Sequence, residues 1–175
     1  MRILFLIIAV LLISGCSSDE KVDINDETNA TYDGTALTIG VIGEKLSKNV
    51  DNITFDSVEP SALKEEEDYD AYFITEPYFE ELSRDSWVSV FSNSPIPVFF
   101  INLDVQAFIY RVEGMGYDDT SPKATEHTKG FVRTGDTIKS WGYGDPSKAT
   151  KVDTTPEWIF NEMYRDIENY VANDT

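Results

Sequence analysis

The sequence predicts an α/β fold: a single domain on an open, mostly parallel sheet with flanking helices, a hairpin near 130–143 and a C-terminal helix. Three observations predict it. Short β-branched and aromatic runs recur at Leu37–Gly43, Ile53–Val58, Tyr69–Ile74 and Pro95–Leu103, and runs of that length between turn residues read as strands. Helix signals fall between several of them, which favours strand–helix alternation. Behind Thr155-Pro156-Glu157, the residues Ile159, Met163, Ile167 and Val171 recur every four positions, widened by Trp158, Phe160, Tyr164 and Tyr170. That stripe is the signature of an amphipathic helix packed on a sheet.

Each element has a local reason. Leu37-Thr38-Ile39-Gly40-Val41-Ile42-Gly43 is β-branched and reads as a mostly buried strand, followed by a short helix or turn over Glu44–Asn49. Ile53–Val58 alternates as a half-buried strand does and stops at Glu59-Pro60. Ser61–Asp68 is a short acidic helix candidate, and Tyr69–Ile74 a third strand. Thr75 is placed to cap a helix over Glu76–Leu82, with Pro77 tolerated in the first turn. PIPVFFINL (Pro95–Leu103) predicts a fourth strand and VQAFIYRV (Val105–Val112) a fifth. After a loop-rich stretch to Lys129, Gly130–Arg133 and Thr137–Tyr143 flank Thr134-Gly135-Asp136, a hairpin with a glycine-containing turn.

Composition narrows the function classes. The chain has 175 residues, 32 acidic against 14 basic, with one Cys and one His, for a net charge of −18. One histidine forbids a multi-histidine metal site, and one cysteine forbids an internal disulfide or a four-cysteine zinc site. No cofactor or metal is expected. The acidity argues against nucleic-acid partners, whose phosphates need clustered Lys and Arg. With 41% hydrophobic and 13% aromatic residues, the chain is too apolar to be intrinsically disordered.

The N-terminus carries the clearest motif. Met1-Arg2 precedes an apolar run from Ile3 to Ile13, then Ser14-Gly15-Cys16-Ser17. A charge, an apolar stretch and small residues form the layout of a secretory signal, and the run falls short of the roughly 20 residues that span a bilayer. Ile13-Ser14-Gly15-Cys16 resembles the lipobox of bacterial lipoproteins. The resemblance covers residues 1–16 and implies cleavage before Cys16, lipidation of its thiol and a protein held on the extracytoplasmic side of the cell membrane. Residues 1–15 are then the signal peptide, 16–35 a lipidated cysteine and acidic flexible tether, and 36–175 the extracytoplasmic domain. Two or more acyl chains anchor such a domain firmly.

Charge is uneven along the mature chain. Residues 34–120 are net −12 and residues 152–175 net −5, but residues 121–151 are net +3. Within that basic stretch Lys129, Arg133, Lys139 and Trp141 are candidates for contact with an anionic surface or an envelope protein. The competing explanation is a solvated hairpin whose lysines deter edge-to-edge pairing.

Catalytic motifs fare poorly. Ser61-Ala62-Leu63-Lys64 matches S-x-x-K but lacks that family's companion elements. Asp68-Tyr69-Asp70 and Tyr117-Asp118-Asp119 read as solvated acidic turns, and lone His127 as an exposed loop residue. Gly40-Val41-Ile42-Gly43 lacks the dinucleotide spacing. In an open α/β sheet, ligands bind beyond the strand C-terminal ends, which makes Gly43, Glu44, Thr75, Glu76, Asn102 and Asp104 the candidate pocket. The function expected is a membrane-anchored, non-enzymatic binding or accessory module for an envelope protein or small solute. The strand-rich opening resembles one lobe of an extracellular solute-binding lipoprotein, a family that usually has two. A carboxylate-dependent hydrolase of envelope sugars is the alternative, since such chemistry needs only two acids. Protection against a toxin or phage is a third.

Overall fold

A computed structural model describes residues 30–65, 68–119, 123–146 and 152–174. The expected signal peptide, Cys16 and most of the expected tether lie outside the described residues.

Six strands form one sheet: β1 (Leu37–Ile42), β2 (Ile53–Ser57), β3 (Ala71–Ile74), β4 (Val98–Ile101), β5 (Thr128–Thr134) and β6 (Thr137–Tyr143). Their order is β2-β1-β3-β4-β5-β6. Pairings among β2, β1, β3 and β4 are parallel, whereas β4–β5 and β5–β6 are antiparallel. The sheet is therefore mixed, with three parallel and two antiparallel pairings. The β5–β6 pairing has a local cause: Gly135-Asp136 joins the two strands through a two-residue turn, and a loop that short connects only antiparallel strands. The turn glycine has φ +57°, the left-handed value such hairpins require.

Three α-helices accompany the sheet among the described residues: α1 (Phe79–Leu82), α2 (Asp85–Asn93) and the C-terminal α3 (Glu157–Asp174). Alternation along each strand divides the core into two layers. On one face Tyr72, Ile74, Val98, Phe100 and Phe131 pack with Phe79, Leu82, Trp87 and Phe91 of α1 and α2. On the other, Leu37, Ile39, Val41, Phe73, Phe99 and Ile101 pack with Ile159, Phe160, Met163, Tyr164 and Ile167 of α3. Helices on both faces explain why β1, β3 and β4 are almost continuously buried.

Local details differ from the sequence expectation. Val105 makes only an isolated bridge to Lys123, after which Ala107–Arg111 turns into a 3-10 helix rather than a fifth strand. Its three-residue repeat buries Ala107 and Tyr110, and the Tyr110 ring stacks on Phe100 at 3.9 Å. The acidic helix expected over Ser61–Asp68 is a shorter 3-10 turn, Pro60–Lys64. Helix α2, which no sequence signal singled out, buries Trp87 and Phe91. Residues at the end of the expected tether lie against α3: the buried Tyr32 donates its N–H to Asn161 Oδ1 (3.0 Å), and Thr35 N–H reaches Glu168 (2.8 Å).

Candidate functional site

The strand C-terminal edge comes first, because the topology gives it a switch point. The chain leaves β1 toward the α3 side, where Leu46 is buried, and leaves β3 toward α1 on the opposite side. Divergent exits open a crevice between neighbouring strand ends. Here one hydroxyl spans that gap. Thr75 Oγ1 accepts the Glu44 N–H at 2.6 Å and donates to the Ile42 carbonyl at 3.3 Å. Thr75 is fully buried, and its side chain makes no helix-capping bond, so the expected cap is instead a link between β1 and β3. Gly43, with φ +113°, has the space for it: a Cβ there would lie 2.1 Å from Thr75 Oγ1.

The structure thus brings Gly43, Glu44, Thr75 and Glu76 together. Asn102 ends β4 in a left-handed conformation (φ 64°). Two residues on, Asp104 accepts the Tyr117 hydroxyl, and Glu76 and Asp118 also act electrostatically on Tyr117. Burial, the Asp104 bond and these carboxylates all push the Tyr117 phenol upward. The candidate pocket residues therefore form two groups, one linked by Thr75 and one gathered around Tyr117. Among the described residues no group of three or more His, Cys, Asp and Glu side chains is arranged to hold a metal ion, and none of the buried residues is an Asp or Glu.

The hairpin candidates lie on different faces. Register pairs Gly130 with Trp141 and Val132 with Lys139, while Lys129 and Arg133 alternate with them. Lys139 and Trp141 share the α3 side, with Lys139 Nζ 5.4 Å from the Trp141 ring centre and 5.7 Å from Tyr170. Lys129 pairs with Glu126 at 3.1 Å. Arg133 bonds Asn93 Oδ1 and the Gly135 carbonyl, each at 2.7 Å.

His127 corrects its sequence reading outright. It is 2% exposed, because its N–H donates to Gly144 and its carbonyl accepts from Leu103, which fixes it between two strand ends. Nδ1 meets Thr128 Oγ1 at 2.9 Å, and Nε2 is buried without a hydrogen-bond partner among the described residues. Burial lowers its affinity for a proton below the ordinary value of 6.5. The unfolded chain therefore binds a proton that the folded chain resists, so the stability His127 contributes is intact above pH 6.5 and declines as pH falls below it. Compared with His127→Gln, the native protein is expected to lose up to about 1.4 kcal/mol more per pH unit below that point. Urea unfolding of both proteins at several pH values checks this, and parallel pH slopes would refute it.

The cavity with unmet polar groups lies elsewhere, on the α3 side. Its volume is about 260 Å³. Lys48, Asn49 and Val50 of the β1–β2 connection line one side, Glu157, Phe160, Asn161 and Tyr164 of α3 the other, and Thr31 its margin. Positions 157, 160, 161 and 164 follow the i, i+3, i+4, i+7 spacing of one helix face. The Tyr164 hydroxyl is fully buried with no hydrogen-bond partner among the described residues, and burial raises its pKa. Lys48 Nζ stands 5.3 Å from the Phe160 ring centre. Neither the half-buried Lys48 ammonium nor the exposed Glu157 carboxylate has an ion pair among the described residues. Two other depressions, of about 400 and 460 Å³, share Lys64. In them Tyr72 bonds the Ala62 carbonyl, Ser94 bonds the Ile96 carbonyl, and Lys64 lies 3.9 Å from the Trp87 ring centre.

No family model matches the chain. Neither the curated proteins nor the solved structures contain a match to it. Sequence reasoning missed the α3 cavity because Phe160 and Tyr164 count equally well as core residues. The available signal was Glu157 and Asn161, two polar residues at helical spacing on a stripe that is otherwise aromatic.

Proposed function

We propose that this chain is a bacterial lipoprotein: a lipid-anchored domain on the extracytoplasmic side of the cell membrane that acts as a non-enzymatic binding or accessory module. The observation that carries the reading is Ile13-Ser14-Gly15-Cys16 behind an apolar run, with Cys16 the sole cysteine of the chain. Between Cys16 and Ala30, where the described domain begins, an extended chain reaches at most roughly 50 Å. That span would keep a lipid-anchored domain near the bilayer. Five of the thirteen residues at 17–29 are acidic. Among the described residues no helix is long and apolar enough to cross a membrane, so in this reading the lipid is the anchor.

Metabolic labelling with a palmitate analogue tests it. The native protein should take up label and fractionate with membranes. Cys16→Ala should abolish labelling entirely and leave an uncleaved precursor. An unlabelled native protein, or a Cys16→Ala variant that labels equally, would sink the lipoprotein reading.

A further inference from the structure

We infer that the outer edge of β6 is a docking site for an extended acidic segment of a partner protein, which adds to the sheet as a further strand. The inference deepens the binding-module reading, rests on it, and makes the partner a protein rather than a solute.

The backbone comes first. A two-residue turn bonds its flanking residues, here Thr134 and Thr137, to each other. Along an antiparallel pair, bonded and unbonded residues then alternate. Thr137, Lys139, Trp141 and Tyr143 therefore bond to β5, while Ile138, Ser140 and Gly142 turn their N–H and C=O groups outward. Arg133 agrees with this phase: opposite Ile138, it turns its own N–H away from β6 to the Ser94 carbonyl at 2.9 Å. Among the described residues no backbone group bonds to the outer side of β6. Such an edge is a template for another strand. β6 has neither proline nor bulge, since all seven residues pair one to one with β5. Its half-buried Ile138 and Trp141 lie on opposite faces of the sheet and offer apolar contact to either side of an added strand.

Charge decides which strand fits. In a chain of net charge −18, β5 and β6 hold Lys129, Arg133 and Lys139 and no carboxylate. Lys129 is paired with Glu126, but Arg133 and Lys139 are exposed. The Arg133 contact with Asp136, 4.0 Å and open to solvent, is too weak to cancel its charge. The opposite edge, β2, has five residues, and its one charged residue is Asp56. An acidic strand is therefore attracted to β6 and repelled by β2. Two β6 edges would bring Lys139, next to the middle of the strand, against its own copy, which disfavours self-pairing.

Fluorescence anisotropy of a strand-forming peptide, fluorescein-GTVEVEVTG-amide, titrated with the full lipidated chain in detergent, tests the inference. The peptide should bind saturably, and its GTVKVKVTG counterpart about tenfold more weakly or worse. N-methylation of the amides in its VEVEV core should abolish binding, because backbone bonds supply the affinity. Hydrogen exchange followed by NMR should slow at the Ile138, Ser140 and Gly142 amides when the glutamate peptide binds. Lys139→Glu should reverse the preference between the two peptides. Ser140→Pro removes an outward N–H that β5 does not use. It should leave thermal unfolding nearly unchanged and weaken binding about tenfold. Equal affinity for both peptides would overturn the acidic class, and binding without slowed exchange at those three amides would overturn the edge. Self-association that protects the same amides would assign the edge to a second copy and overturn the inference. A folded protein that binds neither peptide would overturn it too, and leave the binding-module reading standing. Turnover of an envelope glycan would overturn that reading instead.

Discussion

Phe100→Ala is expected to lower the free energy of unfolding by about 3–5 kcal/mol. Phe100 sits fully buried in β4, near the middle of the sheet. Its ring meets Phe79 of α1 at 5.9 Å, Phe91 of α2 at 5.5 Å, Phe131 of β5 at 5.8 Å and Tyr110 at 3.9 Å. These partners come from four segments of chain, so a collapse that fills the space for one pulls it away from another. Each aromatic pair lost adds to the burial term. A domain of this kind commonly has only about 5–15 kcal/mol to lose, and its single cysteine provides no internal disulfide as reserve. Val112→Ala is the control: Val112 is 41% exposed, and a surface truncation usually changes stability by about 0.5 kcal/mol or less. Urea unfolding of both variants decides the matter. Equal losses would mean that the aromatic layer around Phe100 does not hold the domain together.

What the sequence revealed, and what it hid, follows from the range of the forces involved. β1, β3 and β4 were legible because a strand covered by helices on both faces must be apolar throughout, and LTIGVI, AYFI and VFFI are short enough to exclude helices. α3 was legible because its period persists over many turns. Val105–Val112 was not: a short apolar run reads alike as strand or tight helix. Only the stacking of Tyr110 on Phe100, a contact made at long range, shows which form is adopted. α2 hid for a related reason. Trp87 and Phe91 are its only buried residues, too few for a period to stand out.

The candidate sites divide along the same line. Gly43, Glu44, Thr75 and Glu76 could be grouped because parallel topology brings strand ends together whatever their side chains. His127 was misjudged because its neighbours Thr125, Glu126 and Thr128 are polar. Its burial comes from backbone bonds to Leu103 and Gly144, which local composition does not encode. Lys129, Arg133, Lys139 and Trp141 were grouped by sequence, yet the two-residue period of a strand separates Lys129 and Arg133 from the other two.

Gly43→Ala is expected to cost roughly 2–4 kcal/mol, more than a surface glycine would, through two effects that can be separated. The first is backbone strain, because φ +113° lies where L side chains rarely go. The second is a collision: the new Cβ would stand 2.1 Å from Thr75 Oγ1, and Thr75 is fully buried. If the threonine turns away, the Glu44 N–H loses its acceptor, and the Thr75 N–H bond to the Ile42 carbonyl alone holds the two strand ends. Thr75→Ala alone should cost about 1–3 kcal/mol, the penalty for the unmet donor. In the double variant the collision is gone, since the Thr75 Cβ and carbonyl oxygen remain at an ordinary 3.4 and 3.5 Å. The double variant should therefore lose less than the sum of the single losses, with a coupling of about 0.5–3 kcal/mol. Strictly additive losses in urea unfolding would show that the hydroxyl and the glycine act independently. Sub-additive losses would show that the Thr75 hydroxyl helps to hold the ends of β1 and β3 together at their switch point, and that the glycine makes room for it.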